Sequence, residues 1–126
     1  MARAAYQSKL NMSEAYEQIR IDTPSIPKMA FATVLGTFVS QVMQMGNCNS
    51  PSTFQHLMTA IFHDCISRFA HVYMDDIFIY SHSIKEYEEH RGIISQQLRD
   101  SHLFLSKDKV DLYSEKVECL GHIIDS

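Results

Sequence analysis

Two adjacent aspartates, Asp75 and Asp76, stand between two runs of β-branched and aromatic residues in the stretch VYMDDIFIY, residues 72–80. Neither run contains glycine or proline, and such runs are typical of β-strands. The stretch therefore predicts a β-hairpin with both aspartates at its tight turn. Neighbouring carboxylates at a turn can point toward one region, where two of them about 4 Å apart repel by about 4 kcal/mol at an effective dielectric of about 20.

This carboxylate pair has two possible roles. A hard divalent cation such as Mg²⁺ or Mn²⁺ prefers oxygen ligands and would reverse the repulsion, which predicts a metal site. Aspartate is also a favoured turn residue, so the pair could serve the turn alone. Motifs elsewhere in the chain are needed to distinguish a metal site from a turn without metal.

The remaining strand patterns predict an antiparallel sheet. Residues 6–12 form a strand candidate, residues 28–33 and 38–43 read as a hairpin around Gly36, and residues 103–105 and 117–124 close the chain as strands. With two helices between them, the order is strand, hairpin, helix, hairpin, helix, strands. Two helices on one face of an antiparallel sheet make an α+β domain.

The two helices are indicated by their first residues and by their apolar spacing. Ser50 is expected as the N-cap of the first helix, with Pro51 at its first helical position. Its apolar stripe is predicted to be buried against the sheet: Phe54, Leu57, Met58, Ile61, Phe62, Cys65 and Ile66. Ser83 and Glu86 have the spacing of a capping box at the start of the second helix, whose inner face carries Tyr87, Ile94 and Leu98. The same spacing separates Asn11 from Glu14, so Asn11 is expected to cap a short helical turn.

Composition limits the kinds of function that the chain can perform alone. Its 126 residues suit one domain, and no apolar run approaches the length that spans a membrane. The three cysteines form no CxxC pair, so a reducing, intracellular setting in cytoplasm or nucleus is expected. A chain that binds nucleic acid by itself usually has an excess of basic residues, whereas this chain has a net charge of −4. Binding of nucleic acid would therefore need other domains or bound cations.

Several motifs in order resemble the reverse transcriptases of gypsy-type long-terminal-repeat retrotransposons. The aspartate stretch YMDDIFIYS is similar to their metal-binding hairpin, and LNMSEAYEQI (residues 10–19) is similar to their first metal-binding segment. KMAF (28–31) resembles the hairpin that follows, and MQMGNCNSPSTFQ (43–55) resembles the turn that faces template and nucleotide. Lys109 and LGHII (120–124) resemble the later lysine segment and the hairpin that faces the primer.

The resemblance implies a polymerase palm and a set of site residues. Asp75 and Asp76 would be catalytic and would hold metal, together with Asn11 and the backbone carbonyl of Met12. Tyr16, the aromatic that favours deoxynucleotides in this family, would bind nucleotide with three residues of the nucleotide-facing and lysine segments: Met45, which stands where the family usually has Phe, Gly46 and Lys109. Two Mg²⁺ or Mn²⁺ ions and an RNA/DNA template–primer are the implied cofactor and partner, and the implied reaction is two-metal nucleotidyl transfer.

Two departures from the family pattern weaken the expected activity. The family has aspartate where this chain has Asn11, and an amide offers one neutral oxygen in place of an anionic ligand, so weak metal binding is expected. The chain is also expected to be a single palm-like domain over residues 1–126, with fingers, thumb and RNase H absent. The sequence thus favours a weak or inactive polymerase palm fragment. The alternative is a domesticated, non-catalytic protein that kept the fold for binding or for self-association as a homo-oligomer.

Overall fold

A computed structural model of the protein describes the backbone of residues 4–114, 116–119 and 122–125, and the side chains of residues 4–108, 110–112 and 114. The chain begins with strand β1 (Tyr6–Met12), at the predicted position. Two 3-10 helices follow, Ala15–Gln18 and Thr23–Met29, and then the hairpin of β2 (Ala30–Thr33) and β3 (Gly36–Val39).

The second part of the chain supplies both α-helices and most of the main sheet. Helix α1 (Ser50–Ile61) leads into strands β4 (Ala70–Tyr73) and β5 (Asp76–Ser81). Helix α2 (Ile84–Asp100) leads into β6 (Leu105–Ser114), β7 (Lys116–Cys119) and β8 (His122–Asp125). The order of elements is the predicted one, but the expected strand over residues 103–105 is wrong in extent, because β6 begins only at Leu105 and continues to Ser114.

The main sheet has four strands in the order β4-β5-β1-β6, and each neighbouring pair is antiparallel. Strand β1 is central although it comes first in the chain. Its pairing with β5 sets Leu10 opposite Ile77 and Asn11 opposite Asp76. Because side chains alternate along a strand, Leu10 and Ile77 point to one face of the sheet, and Asn11 and Asp76 point to the other.

Both helices cover the apolar face of this sheet, as predicted for the α+β fold. Phe54 and Met58 of α1 and Ile94 of α2 are fully buried in the same cluster as Leu10 and Ile77. Burial of such side chains is the main source of the domain's stability.

The apolar stripe predicted for the first helix is buried only in part. Phe54, Met58, Phe62 and Cys65 are buried, whereas Leu57, Ile61 and Ile66 are half-buried, so the prediction that all seven are core residues is wrong for three. Leu57 and Ile61 lie within α1, beside the buried positions Phe54 and Met58. Ile61 and Ile66 remain partly exposed but still pack against the core cluster. The N-cap prediction is off by one: Asn49 is the N-cap, and the Ser50 hydroxyl donates instead to the carbonyl of Gln44 (3.0 Å).

Helix α2 begins as predicted. The Ser83 hydroxyl accepts a hydrogen bond from the backbone N–H of Glu86, and the Glu86 carboxylate accepts one from the backbone N–H of His82. Tyr87, Ile94 and Leu98 are buried on its inner face, as expected. No helix in the described part of the chain is long and apolar enough to cross a membrane.

The β2–β3 hairpin leaves its apolar side chains in solvent. Val34 and Leu35 at its tip are 102% and 86% exposed, and the stacked rings of Phe31 and Phe38 are about half exposed. This hairpin therefore adds little to the core.

His90 on α2 makes the stability of the fold depend on pH. Its ring stacks on Phe69 with centroids 3.9 Å apart, and its Nδ1 hydrogen-bonds the Ser81 hydroxyl (2.7 Å). Burial lowers the pKa of His90, and the nearby carboxylates of Glu86 and Glu89 oppose that shift only in part. The unfolded chain, with a histidine pKa of about 6.5, then binds more protons than the folded chain, so stability falls as the pH drops below about 6.5.

We expect urea denaturation to show a lower free energy of unfolding at a pH of about 5.5 than at a pH of about 7.5. His90→Phe, which keeps the ring stack and removes the titrating group, should reduce that difference. The exposed histidine on α1 supplies the control, because His56→Phe should leave the difference unchanged. Equal pH dependence in His90→Phe and the unmodified chain would contradict this assignment.

Candidate active site

The two aspartates lie at the turn between β4 and β5, where Tyr73 pairs with Asp76. Met74 adopts a left-handed backbone conformation (φ 51°), which is uncommon outside glycine and closes the turn tightly. The side chain of Gln55 on α1 secures this turn from the helix side. Its amide donates to the carbonyl of Val72 (3.2 Å) and accepts from the backbone N–H of Met74 (2.7 Å).

Asn11 lies directly beside both aspartates. Its side-chain Nδ2 donates to Asp76 Oδ1 at 2.8 Å and to Asp75 Oδ2 at 3.2 Å. The predicted hairpin turn, with the end of the first strand next to it, is thereby confirmed. The predicted capping role of Asn11 is wrong: Asn11 is a strand residue, and Glu14 precedes the 3-10 helix in a left-handed conformation without a side-chain cap.

Lys9 completes the cluster, and sequence reasoning missed it. Its Nζ lies 2.9 Å from Asp76 Oδ2, and the two side chains are 25% and 19% exposed. The ammonium also lies 5.6 Å from the centre of the Phe78 ring, within the range of a cation–π contact. Strand alternation puts residues 9 and 11 on one face, and that signal could have placed Lys9 near the aspartates.

A cleft of about 290 Å³ opens next to this cluster. It is lined by five predicted site residues, Asn11, Met12, Tyr16, Met45 and Asp75, and by Glu14, Ala15 and Glu17. The Tyr16 hydroxyl donates to the sulfur of Met74 (3.8 Å), and its ring meets Phe54 edge-on with centroids 5.3 Å apart. The ring is thus fixed between the turn and the core.

The remaining predicted site residues are Gly46 and Lys109, and Met12 also makes a backbone contact with the turn. Gly46 has a φ of 96°, a conformation that favours glycine, and is not among the described residues that line the cleft. The side chain of Lys109 lies outside the described residues, as do Leu120 and Gly121 of the expected primer-facing hairpin. Met12 is buried, and its backbone N–H donates to the carbonyl of Asp75 (2.9 Å).

This arrangement of side chains does not fit a pair of divalent cations. Both carboxylate oxygens of Asp76 are engaged, one by the Asn11 amide and one by the Lys9 ammonium. Asn11 turns its N–H₂ group toward the carboxylates, so its oxygen would have to exchange places with the nitrogen before it could be a ligand. Among the described residues, no group of three histidine, cysteine, aspartate or glutamate side chains could hold a metal ion.

A second glutamine, Gln18, joins the segment after β1 to the start of β6. Its Nε2 donates to the carbonyls of Ser13 and Phe104, and its Oε1 accepts from the backbone N–H of Phe104 (2.7 Å). Gln18 thus forms hydrogen bonds with backbone groups of both segments. These bonds hold the 3-10 helix Ala15–Gln18, which forms one wall of the cleft, next to the start of β6.

Comparison with known proteins gives one consistent family. The family profile described as "Reverse transcriptase (RNA-dependent DNA polymerase)" matches residues 1–124. The chain is 32% identical over 124 residues to the "Retrovirus-related Pol polyprotein from transposon 297" of Drosophila melanogaster, covering 98% of this chain and 12% of that polyprotein. It is 30% identical over 117 residues to the "Transposon Tf2-3 polyprotein" of Schizosaccharomyces pombe, covering 93% of this chain and 9% of the relative.

Solved structures share the fold at lower sequence identity. The foamy viral protease-reverse transcriptase in complex with RNA/DNA hybrid superposes with a TM-score of 0.91 at 23% identity, covering 98% of this chain and 16% of that chain. A second structure of that protein, in complex with double-stranded DNA, gives the same TM-score and identity and is covered over 23% of its length. The α+β architecture described above is therefore that of a reverse transcriptase.

Proposed function

Because this chain belongs to the reverse transcriptase (RNA-dependent DNA polymerase) family, we propose that it is the palm portion of a gypsy-type retrotransposon polymerase and that its aspartate hairpin faces the primer end of an RNA/DNA template–primer. The observation that carries the proposal is the meeting of Asp75 and Asp76 with the end of β1 at a turn on the sheet face opposite the helices.

The position of the cluster supports contact with nucleic acid. Lys9, Asn11 and Asp76 are partly exposed on the sheet face opposite α1 and α2. Two structures of the same fold were solved with an RNA/DNA hybrid or double-stranded DNA. A net charge of −4 opposes binding to phosphates, so we expect the chain alone to bind a duplex weakly.

The chemistry of the cluster argues against nucleotidyl transfer by this chain. Enzymes of this family generally use Mg²⁺ or Mn²⁺, and phosphoryl transfer depends on positive charge placed against the transferring group. Here the carboxylates that would bring such ions are held by Asn11 and Lys9. We therefore propose a palm that keeps the fold and the turn of its family while catalysing weakly or not at all.

A crosslinking experiment tests the contact with nucleic acid. A primer with a photoreactive 3′-terminal nucleotide, annealed to an RNA template, captures weak complexes, and mass spectrometry then identifies the modified residues. We expect modification of the turn (residues 73–76) and of the cleft wall that contains Tyr16, with little on α2. Modification mainly on α2, or equal yields with an unannealed control strand at every position, would contradict the proposal.

A further inference from the structure

Two independent contacts hold the Lys9 ammonium beside the aspartates. It is paired with Asp76 Oδ2 at 2.9 Å and lies over the ring of Phe78 at 5.6 Å. Strand pairing explains both contacts, because β1 and β5 set Lys9 opposite Phe78 and Asn11 opposite Asp76. The sheet register therefore fixes the positive charge next to the carboxylates.

Asn11 and Lys9 together contact three of the four carboxylate oxygens of Asp75 and Asp76. The Asn11 amide donates to one oxygen of each aspartate, and Lys9 pairs with the remaining oxygen of Asp76. Two carboxylates and one ammonium leave a formal charge of −1 at the site. A divalent cation that approached Asp76 would meet the ammonium at its ligand position, and two positive charges in contact repel strongly when they are partly buried.

We propose that Lys9 is the resident counter-cation of the Asp75–Asp76 pair, and that it limits the affinity of this site for divalent cations together with Asn11. The proposal concerns the charge balance within the cluster and does not depend on nucleic-acid binding. Lys9 thus relieves part of the repulsion between the two aspartates that the sequence alone predicts a divalent cation would relieve.

Binding of Mn²⁺ alone, measured by electron paramagnetic resonance of the free ion, tests the proposal. Lys9→Met keeps most of the side-chain length and removes the charge, and we expect it to bind Mn²⁺ about tenfold more tightly than the unmodified chain. Lys85→Met is the matched control, since it changes the net charge equally on the exposed side of α2 and should leave the affinity unchanged. Asp76→Asn in the Lys9→Met background should abolish the gain.

Thermal unfolding at increasing Mn²⁺ concentration provides a second measurement. If Lys9 had only a structural role, its substitution would not change the shift in melting temperature that Mn²⁺ causes. At a given Mn²⁺ concentration the melting temperature of Lys9→Met should rise more than that of the unmodified chain, because a ligand stabilises the folded state more when it binds that state more tightly. Lys9→Gln gives the same comparison if Lys9→Met does not fold. Equal Mn²⁺ affinities of Lys9→Met and Lys85→Met would overturn the proposal. So would loss of folding in both Lys9 variants, because Lys9 would then be a structural residue of the core.

Discussion

Phe54→Ala is expected to lower the free energy of unfolding by about 3–5 kcal/mol, the usual cost of removing a buried aromatic side chain. Phe54 is fully buried in α1 at the centre of the core. Its ring also supports Tyr16, which it meets edge-on with centroids 5.3 Å apart. A loss of this size is a large share of the stability of a small domain.

Urea denaturation measures this loss, and Leu57 supplies the matched control on the same helix. Leu57 is half-buried, so Leu57→Ala should cost clearly less than Phe54→Ala. The reverse order would mean that α1 packs on the sheet through a different face from the one described above.

Asn11→Asp is expected to destabilise the metal-free chain by about 3 kcal/mol. The substitution removes hydrogen bonds that the amide donates to Asp75 and Asp76, and bonds to charged groups contribute about 1.5–3 kcal/mol. It also adds a third carboxylate within contact of the other two, which repel it. Lys9 remains beside Asp76 and offsets part of that repulsion.

Chemical denaturation with and without Mn²⁺ tests this second expectation. Added Mn²⁺ should restore part of the lost stability in Asn11→Asp, because the new carboxylate supplies an anionic oxygen ligand. Asn49→Asp, an equal charge change at the exposed N-cap of α1, should be neutral or slightly stabilising. If Asn11→Asp were as stable as the unmodified chain without metal, the amide would not be bridging the two aspartates.

Local sequence patterns predicted the parts of the fold that depend on neighbouring residues. The strand over residues 6–12, the turn at Asp75 and Asp76, and the Ser83 cap all follow from alternation, turn chemistry or capping. The order of the motifs further predicted that Asn11 would lie beside the aspartates.

Contacts between distant segments could not be read in the same way. Gln55 and Met74 of the turn are 19 residues apart in the sequence, and Gln18 and Phe104 are 86 residues apart. Neither hydrogen bond can therefore be predicted from a local sequence pattern. The spacing of Asn11 and Glu14 predicts a helix cap, but the same spacing also occurs where a strand ends at a turn, as it does here. Alternation places Lys9 on the same face as Asn11, but the contact of its ammonium with Asp76 also depends on the register between β1 and β5, which no local pattern gives.

We propose that this reverse transcriptase palm holds its aspartate pair with Asn11 and Lys9 and does not catalyse DNA synthesis by itself. Primer extension on an RNA template with Mn²⁺ tests it most directly, with the unmodified chain, Asn11→Asp and Asp75→Asn compared side by side. We predict no template-dependent incorporation by the unmodified chain, and no robust extension by Asn11→Asp even though it binds metal more tightly, because primer and triphosphate must also be held in line. Template-dependent incorporation by the unmodified chain that Asp75→Asn abolishes would contradict the claim.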